Sequence, residues 1–312
     1  MEGSGMGKVL GRRAVQSLVT IFIVVTIAFL LGRLSGSPAA LLLGDTATTE
    51  QIDALDSQLG FDLPLWQQYV DYLAGVLTGD FGDSYRQPGV SSMELVLERL
   101  PASLQLGAVG LVLGVVLAGS AAVLIQLTAS RTLRTTLLGL GSARQAIPDF
   151  FFGLLLVLVF SVALGWLPSL GNRDPLAIVM PAVTIATAQF VVYLRLLDNS
   201  LGEQFQLDYA RTALARGERR SHVVLAELLP NAALPVLTIA GISLGAFLGG
   251  LVIVENVFAW PGMGQLMLSA VYSRDFPVVQ SGLIVVALLF ILCNALVDVV
   301  GALLDPRVRR AA

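Results

Sequence analysis

The stretch Leu104–Leu127, LQLGAVGLVLGVVLAGSAAVLIQL, contains 24 residues and no charged side chain. A helix needs about 20 mostly apolar residues to cross the hydrocarbon core of a bilayer. The run is continuous, whereas the strands of membrane barrels alternate polar and apolar residues over about ten positions. The stretch therefore predicts a membrane-spanning helix.

The composition of the whole chain points the same way. Of its 312 residues, 55% are hydrophobic and 13% are charged, and the mean hydropathy is +0.80. A soluble domain carries about 25% charged residues, so this chain cannot cover a water-facing surface of its size. The net charge of −3 provides no basic field for nucleic acid. These values exclude an ordinary cytosolic enzyme, a disordered protein and a nucleic-acid binder, and they predict one polytopic membrane domain.

Six apolar runs are long enough to span, and we expect an all-α membrane bundle of six transmembrane helices. The predicted spans are Ala14–Leu34, Leu104–Leu127, Leu137–Leu164, Leu176–Leu197, Leu234–Val254 and Val278–Leu304. The third run is interrupted by Arg144, Pro148 and Asp149. A basic residue at the centre of a spanning helix costs about 2.5–3.5 kcal/mol. We therefore expect Arg144 near the inner headgroups and a kink at Pro148.

The placement of basic residues predicts the orientation. With the N-terminus inside, 14 of the 19 Lys and Arg residues fall on the cytoplasmic side, which obeys the positive-inside rule. Both termini are then cytoplasmic. The first run is longer than the apolar core of a signal peptide, so we expect a retained helix. The predicted organisation is an N-terminal segment with the first helix (1–34), an extracytoplasmic segment (35–103), a core (104–304) containing a cytoplasmic loop (198–231), and a cytoplasmic tail (305–312).

The extracytoplasmic segment is acidic and contains helix signals. Thr48 and Gln51 have the spacing of a capping box, Gly60 is placed to end that helix, and Pro64 is placed to begin another. It contains ten acidic residues and only two basic ones. They are consistent with a solvated cap or with a docking surface for an external partner.

The cytoplasmic loop is too long for a tight turn and too polar to span. It predicts two short helices, Glu203–Arg216 and Arg219–Leu229, that meet at Gly217. Small side chains leave one flank thin enough for close approach, and arginines carry charge at the water side. These residues are Ala210, Ala213 and Ala215, and Arg211, Arg216, Arg219 and Arg220. A basic topology signal would explain the charge, but it does not need a structured helix pair.

Catalytic motifs give little support for an enzyme. The chain lacks the P-loop pattern that cradles nucleotide phosphates. Gly241–Gly245 matches G-x-S-x-G, but the one histidine, His222, lies before that span begins, so close helix packing is the better interpretation. The one cysteine, Cys293, allows no internal disulfide, and we expect no metal site.

Acidic residues within or near the spans are functional candidates by default. Asp149, Glu255 and Asp298 are such residues. An ion-coupled secondary carrier would use groups of this kind, and a structural hydrogen bond between helices is the alternative. The carrier often also shows an internal repeat, and we find no convincing one in this sequence.

Several stretches in order resemble the permease subunits of bacterial ATP-binding-cassette (ABC) importers, in particular the dipeptide/oligopeptide/nickel group. The matching stretches are Leu59–Pro64, Gly79–Ser84, Asp208–Gly217, Asn231–Pro235, Gly249–Gly250, Glu255, Phe258–Gly264, Arg274–Asp275 and Asp305–Arg307. The resemblance departs from the family pattern at Glu218 and Glu227. It implies a type I ABC importer fold in the inner membrane of a bacterium.

The resemblance also implies a mechanism, partners and roles for residues. The chain would be a non-catalytic half of a translocation path for peptides. Nickel chelates, opines or another small solute are the alternatives. Its partners would be a second homologous permease, two ATPase subunits that hold ATP and Mg, an extracytoplasmic binding protein and membrane lipids. Contact with the ATPase is implied for Asp208, Tyr209, Ala210, Arg211, Thr212, Ala213, Ala215, Arg216, Gly217, Asn231 and Pro235. An outer gate or path role is implied for Glu255, Phe258, Trp260, Pro261, Gly262 and Gly264.

Overall fold

The computed structural model describes residues 3–34, 38–44, 47–58 and 60–304, and these are helical with short connections. In chain order the helices are α1 (Gly3–Leu34), α2 (Pro38–Leu43), α3 (Thr49–Gln58), α4 (Leu65–Thr78), α5 (Ser92–Thr128), α6 (Arg131–Gln145), α7 (Asp149–Leu156), α8 (Val179–Phe205), α9 (Asp208–Ala215), α10 (Arg220–His222), α11 (Leu229–Val257), α12 (Met263–Ser273) and α13 (Phe276–Leu304). Two π-helical segments, Val157–Ala163 and Val223–Leu228, continue α7 and α10, and a 3₁₀ turn, Pro175–Ile178, precedes α8.

The chain forms two compact units. Of the described residues, those up to 102 together with 261–291 form one unit, and 103–260 together with 292–304 form the other. In the first unit, Val25, Phe81 and Ile284 are buried together, and a second cluster gathers around Val96 and Met263.

The second unit contains the predicted loop and most of the spans. Its core is formed by buried side chains from α5, α8, α9 and α11, with those of α6 packed around them. Ala118 and Ala122 of α5 and Ala210 and Ala213 of α9 are buried in this core, and such small side chains allow helices to approach closely.

The hydropathy prediction of the spans is confirmed. Among the described residues, five helices are long and apolar enough to cross a membrane, and a sixth is present if one bent pair is a single span. These helical runs are Val15–Leu34, Ser92–Thr128, Pro175–Phe205, Arg220–Gly241 and Phe276–Val297, with Arg131–Gln145 and Asp149–Ala163 as the bent pair. The part of the chain that the structure describes contains no strand apart from one isolated bridge between Asp83 and Ser91.

The third span differs from the prediction of one kinked helix over Leu137–Leu164. Helix α6 ends at Gln145, and the helix that begins at Asp149 is turned by 102° from it. Pro148 stands at the N-cap of α7, where the proline ring disfavours a helical conformation for the preceding residue. The break is therefore at the predicted place, but it is a sharp corner and not a kink.

The hydrogen bonds of Arg144 argue against the expected position near the inner headgroups. Helix α6 runs antiparallel to α8, because Arg134 pairs with Asp198 and Arg144 bonds to Thr187. In the predicted orientation α8 begins on the outer side. Arg144 is then roughly 8–12 Å along α8 from Val179, well inside the apolar region.

The predicted elements of the extracytoplasmic segment are confirmed. The Gln51 amide N–H donates to Thr48 Oγ1 (3.3 Å), and Gln51 Oε1 accepts from the Thr48 N–H (3.0 Å), which is a complete capping box for α3. Gly60 follows that helix with a φ of +70°. Pro64 is the N-cap of α4.

The cytoplasmic loop is divided differently from the prediction. The predicted helix Glu203–Arg216 is split, because α8 continues to Phe205 and α9 begins at Asp208. The predicted helix Arg219–Leu229 is not separate, since the chain from Arg220 runs without a break into α11. The π-helical turns lie directly before Pro230. Proline lacks an N–H and its ring clashes with the preceding turn of an α-helix, and the wider π-helical turns accommodate the ring.

Candidate functional site

Helix α9 presents two different faces. Ala210 and Ala213 are buried against the core of their unit, beside Val223, Val224 and Leu228. Their small side chains bring α9 close to the chain's own bundle, so these two residues do not form the thin outer flank that the sequence suggests. The opposite face is exposed, with Asp208, Tyr209, Arg211, Thr212, Leu214 and Ala215 on it.

The exposed face of α9 includes apolar surface. Tyr209 is 37% exposed and Leu214 is 39% exposed, on a helix too polar to enter lipid. Tyr209 Oη donates to Gln204 Oε1 at 2.5 Å. Tyr209 and Leu214 are five residues apart on an α-helix, so they lie on opposite flanks of the buried Ala210 and Ala213 and do not form one apolar patch.

Gly217 ends the helix in the conformation that the sequence requires of it. Its φ is +84°, in the left-handed region that residues with a Cβ adopt at a cost. The Gly217 N–H donates to the Leu214 carbonyl, and the Glu218 N–H donates to the Ala213 carbonyl. These two bonds close the helix and redirect the chain toward Arg220.

Three side chains after Gly217 converge. The ligand atoms of Glu218, His222 and Glu227 lie within 4.8 Å of one another, and His222 Nε2 is 3.7 Å from Glu218 Oε2. The spacing of Glu218 and His222 is that of an α-helical pair, but Glu227 is five residues beyond His222. The π-helical register, with its i to i+5 bonding, accounts for their sharing a face. The sequence does not reveal this group, because α-helical periodicity places Glu227 on a different face from His222.

Asn231 and Pro235 are exposed on α11, beyond this cluster. Asn231 Nδ2 donates to the Glu227 carbonyl one turn earlier. Both residues therefore lie on a surface, as a contact role would require, although they are on a different helix from Tyr209 and Leu214.

An ion pair connects α6 to α8. Asp198 is 2% exposed, and its Oδ2 lies 2.6 Å from Arg134 Nε. Gln126 Nε2 on α5 donates to the other carboxylate oxygen at 2.9 Å. Arg220 Nε donates to the Gln126 carbonyl, so the start of the α11 run is connected to the same cluster.

The residues implied at an outer gate are mostly buried. Glu255 is fully buried and accepts a hydrogen bond from Ser103 Oγ at 2.5 Å. Phe258 and Trp260 are 2% and 3% exposed, and the Phe258 ring lies over Gly153 of α7. Gly262 and Gly264 are also buried, and Pro261 is half-buried. In this structure these side chains pack within their own units, and they line none of the three cavities that surround Asp198, Arg33 and Asp149.

Two of the matching stretches meet in the first unit. Asp275, at the start of α13, is 3% exposed and accepts hydrogen bonds from the Ser84 hydroxyl and the Tyr85 N–H. The Arg86 guanidinium donates to the Ser273 carbonyl at 2.9 Å. These bonds fix the connection after α4 to the turn between α12 and α13. Burial raises the pKa of Tyr85 to about 12.

Gly241 of the G-x-S-x-G stretch is a close-packing position, as the sequence analysis expects. A Cβ at Gly241 would lie 2.3 Å from Val297 Cγ2 on α13. The one histidine is 64% exposed and pairs with Glu218. The structure therefore gives no support to a serine protease.

Asp149 and Arg144 form the clearest polar group at membrane depth. Arg144 Nη2 donates to Asp149 Oδ1 at 2.9 Å and to the Thr184 carbonyl at 3.1 Å. Its Nε donates to Thr187 Oγ1, and its Nη1 donates to the Ile147 carbonyl. The Phe152 ring covers the guanidinium at 3.9 Å. The side chain of Asp298, the tail 305–312 and Leu59 lie outside the described residues.

Comparisons of the sequence identify the family of the chain. Residues 110–310 match the family described as binding-protein-dependent transport system inner membrane component, and residues 6–106 match its N-terminal companion. The chain belongs to this family, and it is therefore a permease subunit of an ABC importer.

Curated relatives align over almost the entire chain. The glutathione transport system permease protein GsiC of Escherichia coli strain K12 is 35% identical over 299 residues, covering 96% of this chain and 97% of that protein. The protein of the same name from Shigella dysenteriae serotype 1 gives the same values.

Solved structures share the fold. An inward-facing structure of the MetNI methionine ABC transporter matches with a TM-score of 0.59 at 20% identity, over 68% of this chain and 97% of that chain. A second crystal form matches with a TM-score of 0.54 at 23% identity, over 70% and 96% of the two chains. The prediction of a type I ABC importer fold is confirmed.

Proposed function

We propose that this permease imports small peptides across the inner membrane of a bacterium. Peptides are the substrate class that the sequence resemblance implies. Relatives named for glutathione transport, which align over 96% of the chain, support the same class, because glutathione is itself a small peptide. The chain would form half of the translocation path, and a second homologous permease would form the other half.

The energy for transport would come from partner subunits and not from this chain. The exposed face of α9 carries this part of the proposal, because Tyr209 and Leu214 offer apolar surface on the side predicted to be cytoplasmic. Ala210 and Ala213 pack the opposite face of α9 against the core of its unit, so a displacement of α9 would also displace that core. Two ATPase subunits that bind ATP and Mg would cause that displacement.

Coupling requires a difference between two states. A contact that is equal in the inward-open and outward-open states shifts no equilibrium. We therefore assign to α9 a contact that moves with the ATPases as they close, which rotates the attached helices as a rigid body. An extracytoplasmic binding protein would deliver the peptide at the acidic outer segment.

The test is reconstitution of this chain with its partner permease, two ATPase subunits and binding protein in liposomes. We expect ATP-dependent uptake of labelled glutathione or another di- or tripeptide. A Leu214→Cys variant, made in a Cys293→Ala background, should cross-link to an ATPase subunit. Leu77→Cys, at an exposed position of the segment predicted to be extracytoplasmic, should not. Uptake of a nickel chelate or an opine without peptide uptake would refute the substrate class, and absence of the Leu214 cross-link would refute the contact.

A further inference from the structure

The carboxylate of Asp149 is unusually exposed for its surroundings. Its side chain is 48% exposed, whereas the Arg144 side chain that pairs with it is 10% exposed. Oδ1 accepts from Arg144 Nη2, and no described residue donates to Oδ2. One oxygen of the carboxylate is thus open while the other is held.

The depth of Asp149 follows from its partner. Arg144 bonds to the Thr184 carbonyl and the Thr187 hydroxyl, so the pair is level with a point roughly 8–12 Å along α8 from Val179. A hydrocarbon core about 30 Å thick includes that level. A carboxylate exposed to lipid there would carry a large desolvation cost, so such groups face the protein interior or a water-filled cavity.

Asp149 lines a cavity of about 230 Å³. Its polar lining is Asp149, Gln189 of α8 and Ser243 of α11, and the rest of the lining is apolar. Sites for whole small molecules measure about 300–1,000 Å³. A cavity of the observed size suits one end of a longer ligand.

We propose that Asp149, Gln189 and Ser243 receive the terminal ammonium group of the transported peptide. This inference rests on the proposed function, because it assigns a recognition site within the proposed path. An ammonium group has three N–H donors, and the cavity offers a carboxylate oxygen, an amide oxygen and a hydroxyl oxygen as acceptors.

The positive charge of Arg144 does not oppose this assignment. All three of its nitrogen atoms donate to acceptors within the bundle, to the Thr187 hydroxyl, the Ile147 and Thr184 carbonyls and Asp149 itself. The Phe152 ring lies over its face. A ligand in the cavity therefore meets the negative end of the pair first.

The first test compares peptides with and without the ammonium group in the reconstituted complex. Asp149→Asn keeps an oxygen for Arg144 but removes the charge. We expect it to lower transport of a free-amine tripeptide at limiting concentration about tenfold relative to wild type, as for the loss of a charge-assisted hydrogen bond. Transport of the N-acetylated peptide, taken relative to wild type in the same way, should change less than about twofold. Gln189 is not among the hydrogen-bond acceptors of Arg144. Gln189→Leu should likewise lower transport of the free-amine peptide more than transport of the N-acetylated peptide.

Equal losses for the two peptides would overturn the inference and leave Asp149 as a structural partner of Arg144. The proposed function is judged separately, since it fails only if wild-type complex imports neither peptide.

A second test does not depend on the N-acetylated peptide being a substrate. In a Cys293→Ala background, Gln189→Cys should react with a water-soluble thiol reagent, and Val116→Cys, an exposed apolar position on α5, should not. Free-amine tripeptide with binding protein should slow the Gln189→Cys reaction, and Asp149→Asn should abolish that protection. An unreactive Gln189→Cys, or protection that persists in Asp149→Asn, would overturn the proposal.

Discussion

Arg134 and Asp198 hold α6 against α8 through a bond of 2.6 Å between Nε and Oδ2. The two partners differ in their environment, because the Arg134 side chain is 50% exposed and that of Asp198 is 2% exposed. Removal of the arginine leaves a buried carboxylate whose one remaining hydrogen bond to a described side chain comes from Gln126. Removal of the aspartate leaves an arginine that water can reach. The pair should therefore respond asymmetrically to substitution.

We predict that Arg134→Ala lowers the free energy of unfolding in detergent by about 3–5 kcal/mol, because it strands a buried charge. Asp198→Asn should cost about 1 kcal/mol, since the solvated arginine loses little. Thermal unfolding of the purified chain measures both effects. Equal losses for the two variants would show that Asp198 is less buried than the structure indicates.

Gly217→Val should abolish transport and leave membrane insertion intact. A β-branched residue at a φ of +84° costs about 1–3 kcal/mol, which the loop relieves by moving α9 away from its position. Uptake by the reconstituted complex and the amount of inserted chain are the two measurements. Gly202→Val is the matched control, because Gly202 has ordinary helical geometry and open space around it. Normal transport by Gly217→Val would contradict the coupling role of the loop.

Gly241→Ala should destabilise the second unit by about 1–3 kcal/mol through overpacking against Val297. The combination with Val297→Ala should recover most of that loss. Gly250→Ala lies on the same helix with no atom within 4 Å of the added Cβ, and it should be neutral or stabilising. Thermal unfolding distinguishes the three variants, and a destabilised Gly250→Ala would contradict this account of the packing.

The purified chain should hydrolyse no ATP, because its sequence contains no phosphate-binding P-loop. Activity should arise only when the ATPase subunits are added, and it should vanish when their P-loop lysine is replaced. Phosphate release measures this directly. Hydrolysis by a preparation free of ATPase subunits would refute the division of labour.

The first unit should lose stability between pH 10 and pH 12. Burial raises the pKa of Tyr85 from its ordinary value of 10 to about 12, so the folded state holds a proton that the unfolded state has released. The contribution of Tyr85 to the free energy of unfolding is fully present below pH 10 and is lost as the pH rises through 12. Tyr85→Phe should reduce this alkaline loss, and Tyr272→Phe, at an exposed residue, should not. An unchanged pH profile for Tyr85→Phe would contradict the burial.

The hydropathy of the sequence was sufficient to predict the spans, because the length of an apolar run is a direct physical requirement of the bilayer. Local hydrogen-bonding patterns were also readable, as Thr48 and Gln51 show, since a capping box depends only on residues within one turn. The family motif also predicted the positions of α9 and Gly217. The end of this short helix has a positive φ, and a positive φ favours glycine, so the requirement is visible in the local sequence.

The sequence did not reveal features that depend on a register or on a distant partner. Glu227 joins His222 only because a π-helical turn changes which residues share a face. Ala210 and Ala213 face inward because Val223 and Leu228 cover them, and the sequence of α9 alone does not show which side is covered. The corner after Gln145 and the depth of Arg144 depend on α8, which lies more than 30 residues later.

The hydrogen bonds of Arg144 have a consequence for the biogenesis of the protein. Two of its acceptors belong to Thr184 and Thr187, about 40 residues further along the chain. While the ribosome is still completing α8, those acceptors are missing, and release of the third span into lipid would leave the guanidinium with only Ile147 and Asp149 of its own span. A basic residue at the centre of a spanning helix costs about 2.5–3.5 kcal/mol. We expect the translocon to retain this span until α8 emerges and then to release the two helices as a pair.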